Sequence, residues 1–498
     1  MIKIVKFLFF LSLIFSIKIS AQGLNNIWQL GYSGGGGHFQ FDFGSQPLTS
    51  SIVNRKMNFR AAEATISSNQ GNLLFYSNGI FIADASHDTM LNGSSISIGS
   101  FSNWFVNDGI PAPQAVLIIP DPGDTNKYYM FYQTFTANVN GYWQPPALFY
   151  CIVDITQNGG LGAVIQKNLP LVLDTLIASE LTACKHGNGR DWWIITHRYN
   201  SDLYYKFLLT PSGILGPFSQ NIGTQMYVRG PSQSCFSPNG KKFACYHPLE
   251  DLDILDFNRC SGNFSNFIHI AINDSAAGGG VSFSPNSKAL YVSSTKYVYQ
   301  FSVEDTNIAS SQQTIAIWDG FYSQAAPLAT TFYLSQLAPD GKIYISSTNS
   351  VKHMHVINYP DSFGIACDLT QHSLVLPYFN AYTLPNHPNY FLGADSGSVC
   401  DTLQLSIKES LQNNPFNLSC YPNPVEDVLN LRHPPVKKAG IIEIIDVNGK
   451  LVLHQSIHKR SQLSRLDVSK LKNGIYLCKY YEDSNSKNIK FIKTSISE

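Results

Sequence analysis

Cys235-Phe-Ser-Pro-Asn-Gly-Lys-Lys-Phe-Ala-Cys-Tyr246, Val281-Ser-Phe-Ser-Pro-Asn-Ser-Lys-Ala-Leu-Tyr-Val-Ser-Ser294 and Ser335-Gln-Leu-Ala-Pro-Asp-Gly-Lys-Ile-Tyr-Ile-Ser-Ser347 share one pattern. Each is an apolar strand, a Ser/Ala-Pro-Asn/Asp-Gly/Ser-Lys turn and a second apolar strand. Proline presets φ near −65° at the turn entry, Asn or Asp bonds its own backbone, and Gly accepts positive φ, so each copy predicts a hairpin. Looser copies lie upstream at Ile66–Tyr76, Ile119–Phe131 and Lys185–Ile195. The turn anchors Gly71, Asn126, Gly189, Gly240, Ser287 and Gly341 are spaced 47 to 63 residues apart. That period suits a four-stranded propeller blade.

Residues 22–403 hold about seven such periods, although only six anchors are visible. The seventh blade is therefore expected from the leftovers, with Ile27–Gly31 and His38–Phe43 pairing beside the chain end at 381–392. Joining the termini in one blade closes the ring and removes exposed sheet edges. The expectation is an all-β chain, a seven-bladed β-propeller followed by a small Ig-like β-sandwich.

Composition agrees with this reading. The 498 residues are 14% charged and 13% aromatic, with 36 Gly and 25 Pro, which favours turn-rich β structure and excludes a coiled coil or a largely disordered chain. The formal charge is zero overall, so no positive field exists for nucleic acid. Charge is unevenly divided: +3 over residues 1–21, −8 over 22–416 (18 basic against 26 acidic) and +5 over 417–498.

The first segment reads as a signal peptide, residues 1–21. Lys3 and Lys6 precede the apolar run Phe7–Ile17, and Ser20 and Ala21 provide small residues for cleavage. A membrane anchor is the alternative, but the run is shorter than the roughly 20 residues that a crossing needs. No later stretch is long and apolar enough to span. Nine cysteines remain in a compartment where disulfides persist. Cys367 with Cys400 is the expected pair, ahead of Cys235 with Cys245, because bridges directly across a hairpin are often strained.

Two resemblances follow from these residues. The repeats resemble those of the TolB and WD-like superfamily. The order Trp28, Phe41-Asp-Phe-Gly44, Ala64-Thr-Ile-Ser67, Gly71–Gly79, Met90-Leu-Asn-Gly93 and Lys185–Trp193 is similar to a family of exported Bacteroidetes propeller proteins. That likeness implies a fold and a cell-surface setting, with no substrate.

After a polar linker at 404–417, alternation resumes in Tyr421-Pro-Asn-Pro-Val425, Ile441–Lys450, Leu466–Ser469, Gly474-Ile-Tyr476 and Phe491-Ile-Lys493, the spacing of a small sandwich. Residues 418–498 resemble the C-terminal sorting domain of type IX secretion cargo. The motif falls on Pro422, Asn423, Pro424, Asp446, Gly449, Gly474, Tyr476 and Lys493. The resemblance implies docking at an outer-membrane translocon and removal by a sorting peptidase, leaving the body free or attached to lipopolysaccharide. An Ig-like adhesive module that stays on the mature chain is the alternative.

Catalytic signatures are scarce. No G-x-S-x-G, H-E-x-x-H or Walker loop occurs, and Gly34–Gly37 reads as a turn. No cofactor is expected. Asp121 and Asp124 could share a calcium ion, although a turn explains both. Glu63 and Glu180 precede repeat turns on expected inner strands, where they would meet Gln114 and Gln336 along the channel. Two such carboxylates would be the acid and base of a glycan hydrolase or lyase. His186, Asp191, Trp192, His197 and Arg198 form the densest polar and aromatic group and are the expected binding residues, with Trp192 and Trp193 alternating between a buried and an exposed face. The leading expectation is an exported binding protein for a surface glycan or protein, with the hydrolase as its alternative.

Overall fold

Pro238, Pro285 and Pro339 each open a tight turn in which the next residue accepts the main-chain N–H two positions on: Asn239 from Lys241, Asn286 from Lys288, Asp340 from Lys342. The computed structural model describes residues 23–96, 104–135, 144–227, 232–401, 418–436, 439–447, 449–482 and 485–494. The expected signal segment, the linker at 404–417 and Asn448 lie outside the described residues. All six anchors fall in the hairpin between the first and second strands of six successive sheets. Five of these anchors have positive φ, including the non-glycine Ser287 at 65°.

Those six sheets and one more form seven blades, each an antiparallel meander. They span residues 27–53, 64–84, 116–172, 182–226, 233–270, 279–317 and 332–380. Among the described residues, blades three to seven have four strands each and the first two have three. Their inner strands are Ala64–Ser67, Val116–Pro120, Thr182–Lys185, Gln233–Phe236, Gly279–Phe283 and Phe332–Leu337. The blades are packed on both faces, so their strands read as continuous apolar runs: every residue of Ala289–Ser294 is buried. For the same reason Trp192 and Trp193 are both buried, which corrects the expected alternation. Trp192 packs on Tyr390, and Trp193 donates its indole N–H to the Arg259 carbonyl in blade five.

The first blade departs from expectation. Its strands Ile27–Tyr32, Gly37–Asp42 and Thr49–Val53 pair only with one another. Residues 381–392 form no strand. They contain Leu384-Pro-Asn-His-Pro-Asn-Tyr390, and prolines 385 and 388 cannot donate to a ladder. The segment instead runs beside residues 60–65, with Tyr382 and Asn386 N–H groups donating to the Arg60 and Glu63 carbonyls and Thr383 Oγ1 to that of Ala61. It fills the place of the inner strand that the first blade lacks.

The disulfide is also different. Cys400 bonds Cys260, because the segment leaving the axis crosses to the turn Asn258–Asn263 of blade five. Cys367 is a free thiol buried beneath blade seven, and Cys235 and Cys245 are free as well. Residues 418–494 form a separate sandwich of a three-stranded and a four-stranded sheet around Val425, Leu431, Ile444, Leu466 and Phe491. Cys420 and Cys478, whose pairing the sequence leaves open, are free in that core. No helix among the described residues is long and apolar enough to cross a membrane.

Candidate functional site

The inner strands of blades four to seven end at one face of the ring, and their turns surround a funnel of about 840 Å³, within the usual size of a small-molecule site. Pro238, Pro285 and Pro339 line it with the exposed Phe391, the half-buried Phe236 and the buried Phe43 and Phe283, and His387, Pro388 and Asn389 of the strandless segment supply one wall. Among the described residues, no Asp, Glu, Lys or Arg lines it. Gln114 and Gln336, expected along the channel from sequence, both line it.

Amides brace its floor. Gln114 accepts the Ser234 N–H and donates to the Ser234 carbonyl, both at 2.9 Å, tying blade three to blade five. Gln233 accepts the N–H groups of Val281 and Ser335 at 3.0 Å, tying blades five, six and seven. Asn386 Nδ2 donates to the carbonyls of Val116 and Leu181 at 2.9 Å. These bonds satisfy inner-strand groups that would otherwise be buried unpaired. Sequence reading missed Asn386, Gln233 and His387. The signal that marks the first and last is the pair of prolines, which bars residues 384–390 from a ladder.

Glu63 and Glu180 lie elsewhere, 1% and 2% exposed, and neither lines the funnel. Glu63 accepts the Thr65 hydroxyl, and burial pushes its carboxyl up to about 8. Glu180 accepts from Ser232 and from the Cys245 thiol and sits 3.5 Å from His197, which stacks on Tyr204 at 4.2 Å. The five expected binding residues occupy opposite ends of one strand of blade four. His186 and Asp191 are at the funnel-side turn, where His186 Nε2 meets the Cys260 carbonyl oxygen and Asp191 accepts from Arg190. Buried Trp192 begins Trp192–His197, while His197 ends it and Arg198 follows, paired with Asp174 at 3.1 Å. Five steps of strand separate Trp192 from His197 by roughly 17 Å, so the group is not one site. Asp121 and Asp124 cap their own turn, accepting the N–H groups of Gly123 and Asn126, and Asp124 pairs with Lys127. Among the described residues no group of three or more His, Cys, Asp or Glu side chains could hold a metal.

In the C-terminal sandwich, Asn423 clips its loop to the last strand by accepting the Ile492 N–H at 2.8 Å. Pro422 and Pro424 flank it in cis peptide bonds. Asp446 accepts the Lys450 N–H, and Gly449 completes that turn at φ 80°. Gly474 opens the strand whose Tyr476 stacks on Phe491 at 5.5 Å, and buried Lys493 closes the last strand. Residues 419–494 match the family described as "Secretion system C-terminal sorting domain". The chain carries a C-terminal sorting domain of the type IX secretion system. It is therefore handled by that system and exported to the cell surface or beyond it.

The sorting domain packs against the propeller. Tyr421 lies 5.8 Å from the Tyr205 ring and donates to the Leu171 carbonyl, while Arg432 donates to Tyr150 Oη at 3.3 Å. A second cavity of about 540 Å³ lies between Asp174 and Arg198 on blade four and Asn423, Asp427 and Arg465 of the sorting domain.

No curated protein matches the chain. Among solved structures it is similar to a protein from Lactobacillus plantarum, at 12% identity over 72% of this chain and 98% of the other, with a TM-score of 0.43. It is likewise similar to a candidate 6-phosphogluconolactonase from Bacteroides fragilis, at 12% identity over 72% and 97%, with a TM-score of 0.44. The Dos1 propeller aligns at 12% identity over 66% and 91%, with a TM-score of 0.37.

Proposed function

We propose that the protein is an exported binding protein whose ligand enters the axial funnel, with no chemistry of its own. The observation that carries this reading is the funnel itself: a concave cavity whose described lining holds no Asp, Glu, Lys or Arg. The carboxylates that a glycan hydrolase or lyase would need, Glu63 and Glu180, are buried apart from it. The body is residues 22–403 and the sorting domain residues 418–498, with separation by a sorting peptidase at the 404–417 linker.

The test is a hydrolysis and lyase screen on extracellular glycans with the full chain and Glu180→Gln. No turnover by either protein is expected. Turnover by the native chain that disappears in the folded variant overturns the binding reading. Export is checked in a host carrying the secretion machinery, where truncation after Asn417 should retain the protein inside the cell.

A further inference from the structure

The two outer sheet faces of the sorting domain are not equivalent. In the three-stranded sheet, formed by Ser419–Tyr421, Val428–Arg432 and Leu463–Asp467, the residues pointing away from the sandwich core include Tyr421, Asn430, Arg432 and Leu463. All four are buried, Tyr421 and Leu463 within the propeller's own apolar cluster. The propeller consumes that face. The four-stranded sheet runs in the order Leu451–Ile457, Gly440–Asp446, Gly474–Glu482 and Asn485–Lys493. Alternation sends Ile442, Ile444, Tyr476, Cys478 and Phe491 into the core and their neighbours outward. The register then sets Leu451, Ile445, Leu477 and Lys490 in one row across the sheet, with Ile475 opposite Ile492 beside it. Direct cross-strand partners lie about 5 Å apart and successive outward residues about 7 Å, so these aliphatic side chains form one continuous patch. Leu451 and Ile475 are 48% and 47% exposed, and Val447 continues the patch past Ile445 at 76%. A contiguous apolar surface on a folded protein marks a docking site.

We infer that the outer-membrane translocon docks on this face through an apolar surface of its own edged with carboxylates, and that the motif residues build the face instead of touching the receptor. The charge follows from the rim. Lys450, Lys472 and Lys490 are exposed around the patch, and residues 417–498 carry +5; Glu443, in the next row, lies 3.7 Å from His454. Complementary potential would speed encounter and reject wrong partners. The division of labour follows from where the motif residues sit. Tyr476 and Lys493 are buried, Gly449 shapes the turn that carries Val447, and Pro422 and Pro424 line the cavity toward blade four. Asn423 accepts the Ile492 N–H and donates to the Lys490 carbonyl, fixing the strand that presents Ile492 and Lys490 outward.

The test follows the full chain in a host carrying the secretion machinery. Ile475→Thr/Ile492→Thr keeps β-branched residues in both strands while removing apolar surface. Lys472→Glu/Lys490→Glu reverses the rim, and Lys459→Glu makes the same reversal in the connection beyond the opposite end of Leu451–Ile457. Both double variants should lower the exported amount about fivefold or more, with Lys459→Glu at the native level. A benzoylphenylalanine at position 475 should crosslink in living cells to an outer-membrane protein, and one at position 424, on the propeller side, should not. The crosslinks are read in chains otherwise native, so a folding defect in the double variants does not enter them. Native export of both double variants overturns the inference, as does the lack of a protein adduct from position 475, its replacement by lipid, or equal adducts from position 424. Export of the double variants with the tail still attached assigns the face to the sorting peptidase and overturns the translocon as partner. Truncation after Asn417 tests the domain as a whole, so retention of that chain beside native export of the double variants removes the face and leaves the address.

Discussion

Cys400 is joined to Cys260, 140 positions earlier in the chain, so the segment that crosses the axis is tied to blade seven at one end and to blade five at the other. A cross-link closing so long a loop restricts the unfolded chain strongly, contributing on the order of 2–5 kcal/mol. The double variant Cys260→Ser/Cys400→Ser should unfold at lower urea concentration, and proteases should cut it first between residues 381 and 400. Equal midpoints for the native chain with and without reductant would show that the bond does not hold the segment.

Asn386 spends both of its side-chain donors on carbonyls of blades three and four. Asn386→Ala leaves these two buried acceptors unpaired, at about 1–3 kcal/mol each. Asn389→Ala, at the rim with one such bond to the Pro238 carbonyl, should cost less. Urea titration of the two variants ranks them, and a smaller loss at position 386 would contradict the bracing role.

The Glu63 carboxyl is raised by burial from 4.5 to about 8. Its proton is held more tightly in the folded chain, so this contribution to stability is complete below pH 4.5 and is lost progressively as the pH rises through 8. His387 runs the other way: burial lowers it to about 4, so its contribution is complete above pH 6.5 and fades as the pH falls toward 4. Glu63→Gln should therefore gain stability over the native chain between pH 6 and 9 and match it near pH 4. Parallel pH–melting curves for the two proteins would refute the assignment.

Gly240 and Gly341 occupy equivalent turns with φ of 70° and 79°. A Cβ at Gly341 meets nothing within 4 Å, whereas one at Gly240 would lie 2.7 Å from Leu392 and 2.8 Å from Arg259. Gly341→Ala should cost only the left-handed backbone penalty, about 1–2 kcal/mol. Gly240→Ala should cost more and loosen the segment at Leu392. Equal losses by thermal denaturation would dismiss that close approach.

Tyr421 is buried in the propeller's own core cluster although it belongs to the sorting domain. Tyr421→Phe removes one hydrogen bond and should cost about 1 kcal/mol. Tyr421→Ala should free the two bodies from one another, seen as a larger radius of gyration by X-ray scattering. An unchanged radius would mean that this tyrosine does not hold the contact.

The amino-acid sequence alone determined the repeat, the number of blades and the C-terminal address. Proline, Asn/Asp and glycine act within a few residues of themselves, so Pro238-Asn-Gly240 and its copies specify hairpins wherever they occur. The sorting motif is legible for the same reason, being a set of local turns in fixed order. The tertiary structure decided what depends on approach between distant positions: Cys400 meeting Cys260, Asn386 bridging Val116 and Leu181, and His387 lining a funnel built by strands that begin as far back as Thr182. Glu63 and Glu180 show the same division, since alternation places them near the axis while only the packed neighbours bury them away from the funnel. Local stereochemistry is written in neighbouring residues, but cavity, charge environment and cross-link arise from packing that no short stretch contains.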